Sequence, residues 1–391
     1  MKKKIAILGS TGSIGLTSLK VLEKKKNLFS IEILVAGKNH KEITHQIKKY
    51  KPKYFVITDK NIYEKISSEH RKSKIIFLNN FSEFKINNKA IDIAIIAIPG
   101  LAGLKPTLDF IKKSKKVLLA NKESIICGWH ILKKIAKKNK TKMIPIDSEH
   151  FSIEQLTKNY KDDDIKKIYI TASGGPFLRK PIKSFKNINP KDASRHPKWK
   201  MGVKISIDSS NLMNKTLELI EAYRLFPFSQ NKYDIIIHPQ SLIHAIVLFK
   251  NGQTKFLYHE TDMKIPIVNA IYDNKVNIEN FFKNKKNYFL DLKYLKFEKV
   301  DKKRFPIVTF LKDKICQNSG PIILNASNEI LVDRFIKKKI PYSAIYQSLR
   351  RIFKDRDFVK YAVKKTPSLD EIYKIDEWAR KKTLDIINKN L

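Results

Sequence analysis

Lys4-Ile5-Ala6-Ile7-Leu8-Gly9-Ser10-Thr11-Gly12-Ser13-Ile14-Gly15 sets an apolar run directly against glycines placed three apart. The run predicts a buried strand over residues 4–8, and Leu16, Leu19, Val21 and Leu22 predict a helix over 16–24. Glycines between such elements let the backbone turn tightly and let a pyrophosphate approach the amides at the helix start. A glycine motif alone says little; here a strand precedes it and a helix follows, which is the context it requires.

The next predicted strand, residues 31–36, ends in Gly37-Lys38-Asn39. An NAD-binding chain places Asp or Glu at this point to hold the ribose 2′-hydroxyl, whereas a lysine without an acid favours a 2′-phosphate. The expected cofactor is therefore NADP rather than NAD. Further apolar runs at 54–57, 91–98 and 116–120 alternate with helical segments, predicting a Rossmann-like, doubly wound, mostly parallel sheet. Two strand ends in it carry chemistry: Ile98-Pro99-Gly100-Leu101-Ala102-Gly103, and Ala120-Asn121-Lys122-Glu123-Ser124. The first also reads as an ordinary turn, and the second as a helix start capped by Asn121.

Met143-Ile144-Pro145-Ile146-Asp147-Ser148-Glu149-His150 closes the series. Residues two apart on an extended chain point to one side, so Asp147 and Glu149 leave the strand together. Paired carboxylates at that spacing suit a hard divalent cation such as Mg²⁺ or Mn²⁺. The competing reading is a helix cap with Glu149 in the first turn. Past an amphipathic segment around 151–156, a strand over 167–171 ends in Ala172-Ser173-Gly174-Gly175-Pro176-Phe177, small residues suited to an anion nest. The long connection 178–202, punctuated by Pro181, Pro190 and Pro197, reads as a lid with a short helix at 190–194. Near its end lie His196, Trp199, Met201 and Gly202, where Trp199 fits either packing or lid.

Residues 204–207 lead into a helix with an apolar stripe of Leu212, Met213, Leu217 and Ile220. That helix sets Asn214, Lys215 and Glu218 near one another. Ser209, the helix start and Lys215 could hold a phosphate. Glu218 could complete a metal triad, with Glu221 as a rival third acid; a plain Lys215–Glu218 ion pair is the alternative to both. His238, Gln240, Ser241 and His244, between strands at 234–237 and 245–249, are expected to pack and turn.

With 391 residues, 42% hydrophobic and 10% aromatic, the chain can bury a large core in several domains. These are expected at 1–150 (nucleotide-binding) and 151–275 (lid about 178–202), with a linker at 276–302 and a helical bundle at 303–391. Bundle helices are expected at 306–315, 321–335, 341–353 and from Ser368, where Ser368-Leu369-Asp370-Glu371 reads as a capping box. No apolar run of about 20 residues suggests a membrane span, and the chain passes from Met1-Lys2-Lys3-Lys4 straight into a strand without a leader. A cytoplasmic location is expected. Cys127 and Cys316 lie far apart and fit reduced, apolar roles. The net charge of +41 permits nucleic-acid binding, but the lysines are spread along the whole chain without a basic arm or zinc-finger spacing. Compositional drift accounts for it better, and no nucleic-acid partner is expected.

Taken in order, these segments resemble the 1-deoxy-D-xylulose 5-phosphate reductoisomerases over nearly the whole length. The resemblance rests on GSTGSIG (9–15), AGKN (36–39), LLANKES (118–124), PIDSEH (145–150), ASGGPF (172–177), RHPKWKMG (195–202), KISIDSSNLMNKTLE (204–218) and HPQSLIH (238–244). It implies a homodimeric enzyme, with a central α/β catalytic and dimerisation domain at 151–275, that rearranges 1-deoxy-D-xylulose 5-phosphate by retro-aldol cleavage and aldol recombination, then reduces the aldehyde with NADPH to 2-C-methyl-D-erythritol 4-phosphate. An NADP-dependent reductase of a phosphorylated aldehyde or polyol, without rearrangement, is the alternative. By resemblance Asp147, Glu149 and Glu218 bind Mg²⁺, Mn²⁺ or Co²⁺; Ser173, Ser209, Asn214 and Lys215 hold the phosphate. Ser148, Lys122 and His196 contact the sugar backbone under Trp199 and Met201. Thr11, Gly12, Ser13, Ile14, Gly37, Lys38, Asn39, Asn121, Glu123 and Gly202 bind NADPH. The chain departs from the family pattern in the 98–103 loop and at Thr216, positions that flank these contacts without removing any.

Overall fold

Ile5, Ala6, Ile7 and Leu8 are all fully buried, as expected for a central parallel strand covered on both faces. They belong to β1 (Lys3–Leu8), which turns through the glycine loop into α1 (Ser13–Glu23). The computed structural model describes the chain except residues 82, 84, 85, 200, 283–294, 313, 390 and 391. Part of the expected linker, 283–294, thus lies outside the described residues. After α1 the chain alternates through β2 (Phe29–Ala36), α2 (His40–Tyr50), β3 (Tyr54–Ile57), α3 (Lys60–Glu69), β4 (Ile76–Leu78), β5 (Ile91–Ile96), α4 (Leu104–Lys113), β6 (Ser114–Leu119), α5 (Lys122–Lys138) and β7 (Lys142–Pro145).

The chain divides into two units. One comprises Met1–Ser124, His130–Ser148 and Asp262–Lys286, the other Ile125–Trp129, Glu149–Thr261 and Asn287–Leu391. The first contains an all-parallel sheet in the order β4-β3-β2-β1-β5-β6-β7. Strand order reverses between β1 and β5, and in such sheets ligands gather outside the carboxyl ends at the reversal. The doubly wound expectation holds.

The chain continues through α6 (Ser148–Thr157), β8 (Ile165–Ala172), α7 (Pro190–Ala193), α8 (Val203–Ser210), α9 (Met213–Leu225), β9 (Tyr233–Ile237), β10 (Ile243–Phe249), β11 (Thr254–Tyr258), α10 (Lys264–Tyr272) and β12 (Glu298–Lys299). The second unit is built on a mixed sheet ordered β11-β10-β8-β9-β12, in which only β8 and β9 run parallel. Its last part is helical: α11 (Gly320–Ile336), α12 (Tyr342–Phe353), α13 (Phe358–Ala362) and α14 (Leu369–Asn388). The Ser368–Glu371 capping box forms at the start of α14.

The sequence leaves one segment unassigned, and two differ from expectation. Residues 204–207, the unassigned segment, lie inside the helix α8. Ile205 and Ile207 favour strands locally, yet tertiary packing overrides that preference: all of 206–210 is buried, and Lys204 pairs with Asp208 one turn on at 2.8 Å. Residues 306–315, expected as one helix, form 3₁₀ turns, Pro306–Lys312 and Lys314–Cys316. α10 belongs to the first unit, where Ile267, Val268 and Ile271 join the β1 core and Asp273 pairs with Lys116 at 2.8 Å. Such a return is a long-range packing event that no local pattern announces.

The glycine loop generates a stability prediction. A Cβ on Gly15 would lie 2.3 Å from Gly9 O and 2.6 Å from Ser10 Cα, whereas one on Gly12 would meet only Gly9 O at 3.4 Å. Gly15→Ala should cost about 2–3 kcal/mol of stability, seen as a lower urea midpoint with unchanged slope. Gly12→Ala should stay near wild type.

Candidate active site

The first unit gathers one set of expected residues at its strand ends. Gly9 adopts φ +87°, and a Cβ there would lie 2.5 Å from Ala97 O, so the ends of β1 and β5 approach as only glycine permits. Gly12 precedes α1 with no side-chain cap, leaving the first-turn amides near Ser13 and Ile14 to an outside acceptor. Gln46, which the sequence gave no reason to single out, holds this loop by donating to Ser10 O at 3.0 Å. Gly37 follows β2, Lys38 and Asn39 are exposed beyond it, and Asn39 caps α2 by accepting from the Glu42 amide. Asn121 is a brace as well as a cap: its oxygen accepts from the Ser124 amide at 2.7 Å, and its amide donates to Ile98 O, Gly100 O and Glu123. Lys122 Nζ lies 4.0 Å from Asp147 at the end of β7.

The second unit builds its site on α9. Buried Lys215 makes ion pairs with Glu149 and with Glu218 one turn on, and Asn214 donates to the other oxygen of Glu218. The expected surface ion pair is in fact a buried one joined by a third charge. His150 Nε2 donates to the backbone carbonyl of Glu218 at 2.8 Å, while its Nδ1 faces Glu221 at 3.8 Å. Of the two rival acids, Glu218 therefore shares Lys215 with Glu149. Asp147 is joined to Glu149 through Ser148 alone, and Asp147, Glu149 and Glu218 offer carboxylate oxygens within 4.8 Å of one another. No other group of His, Cys, Asp or Glu among the described residues has metal-binding spacing. Three acids so close require positive charge among them, and an all-oxygen donor set fits Mg²⁺ or Mn²⁺.

Beside these acids, the turn after β8 runs through Gly174 and Gly175 at φ +80° and +64°. A Cβ on Gly175 would lie 2.8 Å from both Ser209 O and Ser210 Cα, so this glycine lets the turn press against the end of α8. Ser173 Oγ accepts from the Gly175 amide at 3.1 Å and meets His196 Nε2 at 2.9 Å. His196 Nδ1 accepts from the amides of Lys198 and Trp199 at 3.1 and 2.8 Å, which places its proton on Nε2. Ser173 thus accepts twice and keeps its own O–H to donate elsewhere. Burial, then the charge of Lys215, pushes the His196 pKa down to about 4 against an opposing pull from Glu149, so the ring is neutral near pH 7.

Trp199 packs edge-on against His244, whose ring is stacked on His259 with centroids 3.8 Å apart. His238 stacks on Phe297 instead. Met201 and Gly202 lead into α8, Ser209 lies in its last turn, and Ser148 opens α6. The His150 contact and the His244–His259 stack went unread in the sequence, because each pairs residues many positions apart with no local signature.

Comparison with known proteins covers most of the chain. Residues 5–128 match the family described as 1-deoxy-D-xylulose 5-phosphate reductoisomerase, and 143–226 and 259–382 match its two C-terminal domains. A protein of Pelagibacter ubique named 1-deoxy-D-xylulose 5-phosphate reductoisomerase is 43% identical over 96% of this chain and 97% of its own. One of that name from a Wolbachia of Drosophila simulans is 39% identical over 88% of each. Among solved structures, a DOX-P reductoisomerase in complex with NADPH, fosmidomycin and magnesium superimposes with a TM-score of 0.91 at 31% identity, over 99% of this chain and 98% of that one. The Zymomonas mobilis enzyme in complex with NADPH gives 0.87 at 31%, over 99% of each.

The histidine stack makes a pH prediction. Burial, then its neighbour His259, pushes the His244 pKa down to about 3. Between the ordinary value of about 6.5 and that value, the unfolded chain binds a proton that the folded one does not. The contribution of His244 to stability is complete above about pH 6.5 and is lost as the pH falls. His244→Phe should reduce the slope of unfolding free energy against pH in this window by up to about 1.4 kcal/mol per unit. Urea titrations at several pH values measure it.

Proposed function

Because the chain belongs to the 1-deoxy-D-xylulose 5-phosphate reductoisomerase family, we propose that it converts 1-deoxy-D-xylulose 5-phosphate to 2-C-methyl-D-erythritol 4-phosphate by rearrangement followed by NADPH reduction. The observation that carries this reading is the cluster of Asp147, Glu149 and Glu218, which a simple hydride-transfer enzyme has no need of. A Mg²⁺, Mn²⁺ or Co²⁺ ion held by these acids supplies Lewis-acid stabilisation of negative charge on the substrate's oxygens.

The remaining roles belong to side chains. Thr11, Gly12, Ser13 and Ile14 offer the start of α1 to the cofactor pyrophosphate, and Lys38 with Gly37 and Asn39 takes the 2′-phosphate. Asn121 and Glu123 form the strand-end crevice beneath the nicotinamide, and Gly202 joins the cofactor contacts. Ser173 donates its hydroxyl proton to the substrate phosphate with Ser209 and Asn214, while Lys215 supplies charge. Neutral His196 donates from Nε2, and Lys122 and Ser148 orient the sugar backbone. Trp199 and Met201 cover the substrate and keep water from the aldehyde. Roles divide along the sequence at 1–150, 151–275, 276–302 and 303–391, although α10 packs in the first unit; a homodimer and a cytoplasmic site of action complete the proposal. No helix among the described residues is long and apolar enough to cross a membrane.

Two measurements test it. Purified protein with 1-deoxy-D-xylulose 5-phosphate and Mg²⁺ should oxidise NADPH, and EDTA should stop the reaction; turnover indifferent to chelation would point to the metal-free reductase. Glu218→Gln should lower kcat roughly a hundredfold or more while NADPH affinity stays unchanged. Equal turnover at saturating metal would remove Glu218 from its role.

A further inference from the structure

The last helices enter the chemistry through the two neighbours of Ser209. Asp208 is 1% exposed, and its carboxylate accepts from Asn328 Nδ2 in α11 and from Lys204 Nζ, both at 2.8 Å. Ser210 is fully buried and donates its hydroxyl to Ile207 O at 2.6 Å, so its oxygen is left to accept from the Tyr342 hydroxyl at 2.9 Å. Tyr342 opens α12 and is wedged among Phe177, Phe185 and Phe335. Side chains on both sides of Ser209 are therefore tied to the bundle, while Gly175 presses on its carbonyl.

A buried carboxylate that loses a hydrogen-bond donor is left with an unsatisfied oxygen out of water, even while Lys204 still balances its charge. α8 has only eight residues, and turning it would relieve Asp208 only by moving Ser209, to which it is joined by one peptide bond. We propose that Asn328 and Tyr342 are positioning residues for substrate phosphate: they fix the end of α8 so that the Ser209 hydroxyl is held where the phosphate lands. The inference rests on the reading of Ser209 as a phosphate ligand. It gives the bundle, which shows no chemistry of its own, a part in substrate recognition.

The experiment is a double-mutant cycle on the full-length protein. Asn328→Leu and Tyr342→Phe are each made in wild type and in Ser209→Ala, and the KM for 1-deoxy-D-xylulose 5-phosphate, kcat, the Kd for NADPH and Tm are measured. Tyr342→Phe keeps the aromatic packing, so it reports even if Asn328→Leu does not fold. Each substitution should raise KM roughly tenfold, the worth of one hydrogen bond to a charged group, with a much smaller change in kcat and none in NADPH affinity. In Ser209→Ala the same substitutions should add little, because coupled residues are not additive. A lower Tm and kcat at unchanged KM, or effects that multiply fully with Ser209→Ala, would make both residues merely structural and overturn the proposal. Should Ser209→Ala raise KM while neither bundle variant does, this inference alone falls. If Ser209→Ala leaves KM unchanged in an active enzyme, the phosphate reading of Ser209 falls and takes the inference with it.

Discussion

Lys215 and the two glutamates it joins are the constraint around which the second unit is arranged. Glu218 is 2% exposed and Glu149 7%, and carboxylates so far from water are tolerated only with positive charge in contact. Lys215 meets that condition from the same helix as Glu218, and helical geometry sets the spacing. Glu149 comes from the first turn of α6 and Glu218 from α9, so two acids from distant chain segments share one ammonium group, while Asp147, from the strand end before α6, lies 4.0 Å from Lys122. A fourth carboxylate, Glu221, sits on the same helix but faces His150, and His150 in turn holds the backbone of Glu218. That division of partners separates the acid available to a cation from the one spent on structure.

Hydrogen-bond bookkeeping around Ser173 shows how a neutral group can be prepared for an anion. Two backbone amides on Nδ1 fix the His196 tautomer, His196 and the Gly175 amide satisfy the Ser173 oxygen, and the one proton left uncommitted is the serine's own. Burial and the nearby ammonium keep His196 uncharged. Positive charge in this corner then comes from Lys215, which also answers to the carboxylates. On the proposed function, phosphate and metal chemistry would thereby be joined through one side chain.

Several features were legible because their causes are local. The strand, glycine turn and helix at the start follow from residue type and period, and so does the Ser368 cap. The pair Asp147 and Glu149 is visible because two positions on an extended chain share a side. Helical spacing left Glu218 and Glu221 as rivals on α9 and the family resemblance chose Glu218; in the fold Glu218 meets Lys215 while Glu221 faces His150. Residues 204–207 carry no clear local signal, because the β-branched Ile205 and Ile207 compete with the helix that the buried run 206–210 forms.

By itself the sequence determined the class of fold, the glycine turn after β1 and the pairing of Asp147 with Glu149, since these rest on short-range geometry and on motifs that are contiguous in the chain. The tertiary structure alone decided which acid joins Lys215, that α10 returns to the first unit, and that Asn328 and Tyr342 grip the neighbours of Ser209. Those outcomes depend on contacts between segments 66 to 157 residues apart. The energy of such contacts exists only once the chain has closed upon itself.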